Sequence, residues 1–218
     1  MKRILQQIVL ILIGIALTVV VVIGVWPTKV VSHPPGELCN GAPTIAGLRR
    51  PAVVKKNGYE LETLARIKLV GRVLQRRNFY DILSLEMFSF DREARVSPVS
   101  IMIGWDEMSD ESVLEEFSFF IEGRESRWKP DDINQRLVVK PMVEDNTALI
   151  HLIPESPSIE KQFEELYIGT LVTIDGMVVK VSDTESPFQW GTDELSTEEA
   201  ARDRIVLVKS ISCKNGTI

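Results

Sequence analysis

Two histidines, four clustered carboxylates and three tryptophans beyond residue 100 are the side chains here that could do chemistry. His33 lies in a proline-rich stretch and His151 in the apolar run Leu149-Ile150-His151-Leu152-Ile153, so no metal-ligand spacing links them and no metal site is expected. His151 has two readings: a general base working with an acid such as Asp106 or Asp110, or an inward-facing histidine that hydrogen-bonds for structure. The run Gly104-Trp105-Asp106-Glu107-Met108-Ser109-Asp110-Glu111 places four carboxylates together. They lack the Asp-x-Asp-x-Asp-Gly spacing of a calcium loop, and Ser109 is expected to cap a helix or turn beginning at Asp110, with the acids at the positive end of its dipole. Trp105, Trp128 and Trp190, with Phe119, Phe120 and Phe188, could line a groove for a glycan or peptide, or serve as core and rim. No glycine-rich phosphate loop, Gly-x-Ser-x-Gly elbow or cysteine–histidine pairing is present, so neither a catalytic residue nor a cofactor is assigned.

Cys39 and Cys213 are the only cysteines, near opposite ends of the chain. In an oxidising compartment one bond between them would staple the start of the domain to its last strand, with a model-dependent stabilisation on the order of 4 kcal/mol. The alternative is two unrelated thiols.

The elements that must position these residues are mostly strands. Ala65, Ile67, Leu69, Gly71 and Val73 alternate with Arg66, Lys68, Val70 and Arg72, which puts one face on a core and the other toward water. Gly71 suits a bulge or bend. Further strands are expected at Val99 to Gly104, Glu116 to Ile121, Ala148 to Ile153 and Arg204 to Ser212. A helix is expected from Ser156, with Pro157 in its first turn, to Leu166, stopped by Gly169. Asp175-Gly176 between Thr170–Ile174 and Met177–Val181 reads as a two-residue hairpin turn, and Ser196 with Glu199 as a capping box. These pieces predict a mainly-β (α+β) domain, residues 59–218: a small curled antiparallel barrel resembling an OB-fold, with one or two short helices, or else an open α+β sandwich.

Ahead of it, residues 8–26 carry no charge, follow Lys2 and Arg3, and precede Pro27. As a helix that segment would be roughly 28 Å long, the thickness of a bilayer core, and residues 1–26 are read as a transmembrane anchor with a short cytoplasmic start. The basic residues put the amino terminus inside and the domain outside. A cleaved secretory signal ending near Val30-Val31-Ser32 is the competing reading, and Gly36-Glu37-Leu38 before Cys39 makes a poor lipoprotein signal. Residues 27–58, rich in proline and glycine, read as a semi-extended stalk. The net charge of −6 argues against a nucleic-acid partner.

At Ser97-Pro98-Val99, Gly104-Trp105, Met108-Ser109-Asp110 and His151-Leu152-Ile153-Pro154 the chain resembles a group of uncharacterised bacterial single-pass membrane-anchored proteins. It departs from them at Gln189-Trp190-Gly191-Thr192, where a tryptophan followed by paired serines would be expected. The resemblance implies a bacterial envelope location, at the inner membrane, and brings no catalytic residue. Three functions follow as expectations: a non-enzymatic extracytoplasmic interaction or scaffold domain with an envelope protein partner, a module binding glycan or peptide through Trp105, Trp128 and Trp190, or a hydrolase using His151 and an acid.

Overall fold

The computed structural model describes residues 29–79, 92–191 and 203–214. Among these residues ten strands and four short α-helices follow in order: β1 (Thr44–Gly47), β2 (Val53–Lys56), β3 (Tyr59–Asn78), α1 (Arg92–Val96), β4 (Val99–Gly104), α2 (Glu111–Leu114), β5 (Phe117–Glu122), β6 (Glu125–Pro130), α3 (Arg136–Asp145), β7 (Thr147–Pro154), α4 (Pro157–Gln162), β8 (Leu171–Asp183), β9 (Gln189–Trp190) and β10 (Asp203–Lys214). The protein is mainly β, built on one curled sheet with a few short helices, as the alternation predicts.

The 20-residue β3 organises that sheet. Along one edge it pairs with β8, from Tyr59 opposite Asp183 to Arg72 opposite Leu171. Its other edge is taken in turn by β2, β1 and, from Arg72 onward, β4. β4 then pairs with β7, β7 with β10, and β10 with β8, so the pairing closes on itself. The β7–β10 pair is parallel, which corrects the wholly antiparallel sheet expected. A parallel pair needs a crossover, and α4 with β8 lies in that connection.

Inside the closed sheet lie alternate residues of each strand: Ile67 and Leu69, Ile101 and Ile103, Ile150 and Leu152, Val172 and Ile174, Val206 and Val208. Ile159, Phe163 and Leu166, from α4 and the 3₁₀ turn after it, pack on the same cluster. β7 is buried at every position because its other face is covered too: Leu149 packs with Ile121 of β5, and Ile153 packs in a cluster that Trp190 borders. Burial on both faces explains why Leu149–Ile153 reads as a continuous apolar run rather than an alternating one.

The expected hairpin at Asp175-Gly176 does not form: β8 runs through both residues without a break. Gly176 is there because β10 passes close by. A Cβ on it would lie 2.5 Å from the Leu207 carbonyl oxygen, just before the register shift between Val208 and Ser210. Asp-Gly therefore serves a close backbone approach inside a strand, a use that shares its residues with the type I′ turn. Gly71 is likewise a close approach, its Cβ position 2.7 Å from the Gly104 carbonyl oxygen, while the register shifts in β3 fall elsewhere, at Thr63/Ala65 and Val73/Gln75.

The stalk expected at 27–58 is, from residue 29 on, part of the domain. β1 and β2 lie on the edge of β3, and residues 30–41 form a strap along the closed sheet, in which Val31 is buried and its N–H donates to the Ile168 carbonyl at 2.8 Å. Proline and glycine signal irregular backbone, and irregular backbone can be docked as well as free. The anchor at residues 8–26 and the Ser196/Glu199 capping box lie outside the described residues. Among the described residues no helix is long and apolar enough to cross a membrane.

Candidate functional site

The acidic run after β4 turns out to be a clasp for the strap. Chain geometry turns sharply at Asp106, where φ is +47°, and a 3₁₀ turn over Asp106–Ser109 presents side chains toward residues 33–41. Four backbone amides of the strap donate to side chains of residues 106–111: Gly41 to Asp106 Oδ1 at 2.8 Å, Cys39 to Ser109 Oγ at 2.8 Å, Gly36 to Asp110 Oδ1 at 3.3 Å and His33 to Glu111 Oε2 at 3.3 Å. The reverse bond runs from the Asp106 amide to the Cys39 carbonyl at 2.9 Å. Backbone donors leave no residue-type signature, so the carboxylates were legible as a cluster and their partners were not.

Ser109 does not take its expected role as the cap of the following helix, because its hydroxyl donates to the Asp106 carbonyl and accepts from the Cys39 amide. The cap of α2 is Asp110, which accepts from the Ser112 amide at 3.0 Å. Bonds from the Ser112 hydroxyl and amide and from Gly36 hold the Asp110 carboxyl below its ordinary value. A lowered carboxyl contributes stability above the ordinary value near 3.8, and that contribution is lost as pH falls through the lower folded-state value. Acidification below about pH 4 should therefore loosen the strap at Gly36. The check is amide hydrogen exchange at Gly36 corrected for intrinsic rate; an unchanged protection factor, or the same profile in Asp110→Asn, would sink it.

Beneath the clasp lies Arg72, 1 % exposed, whose Nη1 is ion-paired with Glu111. Its Nε and Nη2 are buried without hydrogen-bond partners. At the far side of the strap, His33 Nδ1 sits 3.2 Å from Glu37 Oε2, and Glu37 pairs with Lys214 at the end of β10. The Lys214 contact first, and His33 after it, hold the Glu37 carboxyl below its usual value.

The staple expected between Cys39 and Cys213 is not formed: both are free thiols. They do border the same cleft, between the strap and the ends of β8 and β10. Burial raises both thiols, Cys39 in spite of nearby Arg72, and Cys213 to about 11. At neutral pH neither is a ready thiolate, so Cys213 should alkylate slowly at pH 7 and its rate should still be climbing at pH 10. A rate that levels off near pH 8.5 in a pH series of iodoacetamide labelling contradicts this.

His151 reaches a second cluster that the sequence did not disclose. Its Nδ1 is hydrogen-bonded to Ser100 Oγ at 2.7 Å, and its Nε2 lies 2.9 Å from Asp203 Oδ1, off the line of a hydrogen bond. Ser100 and His151 are register partners across β4 and β7, and Asp203 opens β10 beside them. Serine, histidine and aspartate thus meet, but Ser100 and His151 are 0 % and 1 % exposed, and Trp190 covers the imidazole at 4.9 Å. A nucleophilic serine must open to its substrate, and this one is sealed under the chain. The acid beside His151 is Asp203, whereas Asp106 and Asp110 serve the clasp.

The three tryptophans are not brought together. Trp105 is buried in the main core, Trp128 packs edge-on against Phe117 within the β5–β6 hairpin, and Trp190 sits over His151. Among the described residues no group of histidines, cysteines and acids could hold a metal ion. No family model, curated protein or solved structure matches this chain.

Proposed function

We propose that this chain is a bacterial envelope protein held in the inner membrane by residues 8–26, with its domain outside the cytoplasm acting as a non-enzymatic interaction module for an envelope protein partner. The observation that carries the reading is the strap. The uncharged run ends at Trp26, and by Val30 the chain is already bridged to Ile168, so the domain is fastened directly behind the segment read as the anchor. Four carboxylate and hydroxyl contacts holding that strap are what a presented, fixed domain requires.

The finer fold reading belongs here as well. A closed circuit β3-β4-β7-β10-β8, with one parallel pair and a helix between its third and fourth strands, supports a small OB-type barrel. Barrels of that type use the outer face of their second and third strands for oligonucleotides or oligosaccharides. Here that face carries Ser100, His151 and Leu149 and is covered by the β5–β6 hairpin and Trp190, which favours contacts through other surfaces. The hydrolase reading lacks an accessible nucleophile at its best constellation, and the ligand-groove reading lacks the convergence of Trp105, Trp128 and Trp190 that it needs.

The test is protease accessibility of the full chain in right-side-out and inverted bacterial inner-membrane vesicles. The proposal expects a membrane fraction resistant to alkaline carbonate and a domain cut only from the outer side. Release by carbonate, or cleavage only in inverted vesicles, would overturn the topology and with it the envelope role.

A further inference from the structure

The helix α3 carries its apolar residues on two sides. Val139, Met142 and Val143 pack inward against Phe117 and Met108. Leu137 and Val138, at the start of the helix, are 84 % and 81 % exposed, and Ile133, in the 3₁₀ turn just before it, is 61 % exposed. Among the described residues nothing covers these three aliphatic side chains, and scattered single exposures do not describe them: they fall within six residues of one another.

Their position in the fold says what covers them. α3 ends at Asp145, and two residues later Thr147 opens β7 opposite Gly104, which lies opposite Arg72, which lies opposite Leu171. At that same end of the closed sheet, Val73 exchanges backbone bonds with Thr170 and Gly169, and the Val31 amide bonds Ile168. The turn that leads into the helix is at this end too: the Asp131 amide donates to the Glu116 carbonyl at 2.9 Å, and the adjoining Glu115 and Phe117 line one cavity with Val30 and Ile168. Four residues before Val30 lies Trp26, the last residue of the uncharged run. Val30 itself is 52 % exposed, a further aliphatic residue at this end.

Beside the three aliphatic side chains Lys129 lies over Phe120 and Arg136 over Trp128, while Arg127 is paired with Glu122 and Glu125 and Lys140 with Glu144. Asp132 is turned back to accept from the Asn134 amide at 3.0 Å. Aliphatic side chains flanked by Lys129 and Arg136 fit the boundary between acyl chains and headgroups, where long basic side chains reach the lipid's polar groups.

Resting on the reading of residues 8–26 as an anchor, we infer that Ile133, Leu137 and Val138 dock the domain onto the surface of the same bilayer that the anchor enters. The tether keeps the domain at the surface, and the three side chains fix which face it turns to the lipid. The partner of this face is a lipid surface.

A photoreactive benzoylphenylalanine at position 137 of the full chain, reconstituted into vesicles of phosphatidylethanolamine and phosphatidylglycerol, tests this. The expected result is a lipid adduct at position 137 and none at position 55, on the exposed β2. Ile133→Asp with Val138→Asp should abolish the adduct while the thermal unfolding midpoint in detergent stays put, because both side chains are exposed. Vesicle flotation separates the two readings: a chain that floats but gives no lipid adduct at 137 overturns the docking and leaves the anchor standing. A chain that does not float overturns both. A protein adduct at 137 in native membranes, in place of a lipid one, assigns the face to a protein and also overturns the inference.

Discussion

Gly169→Ala should unfasten the strap. Gly169 has a φ of +88°, and a Cβ there would lie 1.8 Å from the Val31 carbonyl oxygen, a backbone atom that cannot swing aside. The left-handed backbone costs about 1–2 kcal/mol for any residue with a Cβ, and the overlap about 1–3 kcal/mol more, together about 2–5 kcal/mol unless the strap moves. Moving the strap is the cheaper response, since the alternative is to shift the closed sheet, and Cys39 sits in the strap. The variant should therefore show two changes in the full chain in detergent: a lower unfolding midpoint and a faster reaction of Cys39 with a thiol reagent under native conditions. A lowered midpoint with Cys39 still protected would mean that the strain spreads into the closed sheet instead. No change in either would refute the close approach.

Glu111→Ala should be the most damaging change at the clasp. It takes from the Arg72 guanidinium, 1 % exposed, its ion-pair partner, and removing one partner of a buried pair costs about 3–5 kcal/mol. Glu111 is 26 % exposed, so water can solvate it when the cation goes. Arg72→Met should consequently be milder than Glu111→Ala, and the double variant should recover much of the loss, because a charge pair replaced by apolar groups leaves no orphan. Chemical unfolding of all three variants checks this. A double variant as unstable as Glu111→Ala alone would show that Arg72 contributes through packing of its stem and not through the pair.

Period-two alternation made the strands legible. β4 coincides with the expected Val99–Gly104, and the Ser156 side chain caps the helix at Pro157 through the Ile159 amide. Where one residue pair serves two backbone geometries the sequence misleads, as at Asp175-Gly176, because the deciding atom is the Leu207 carbonyl on another strand. The site was legible only in part, and for a similar reason. Asp106, Ser109, Asp110 and Glu111 stood out as a cluster, but their partners are backbone amides of residues 33–41, which any residue type supplies. Ser100 and Asp203 join His151 only through the β4–β7–β10 register, a long-range fact that no local pattern contains. An inverse signal did exist for the strap: Val31 is an apolar residue followed by His33 and Cys39, more burial-prone than a solvated stalk should be.

The docked strap also sets the length of the domain's leash. A free stalk of thirty residues would let a domain explore a radius of about 30 Å around its anchor, diluting it over a wide search volume. On the proposed anchor, only Pro27 and Thr28 lie between Trp26 and the first described residue, a reach of about 10 Å. Such a domain cannot fish for partners in the surrounding space. It must meet what is itself confined to the membrane plane, and its encounters become collisions in two dimensions, where orientation is settled in advance and only lateral diffusion remains.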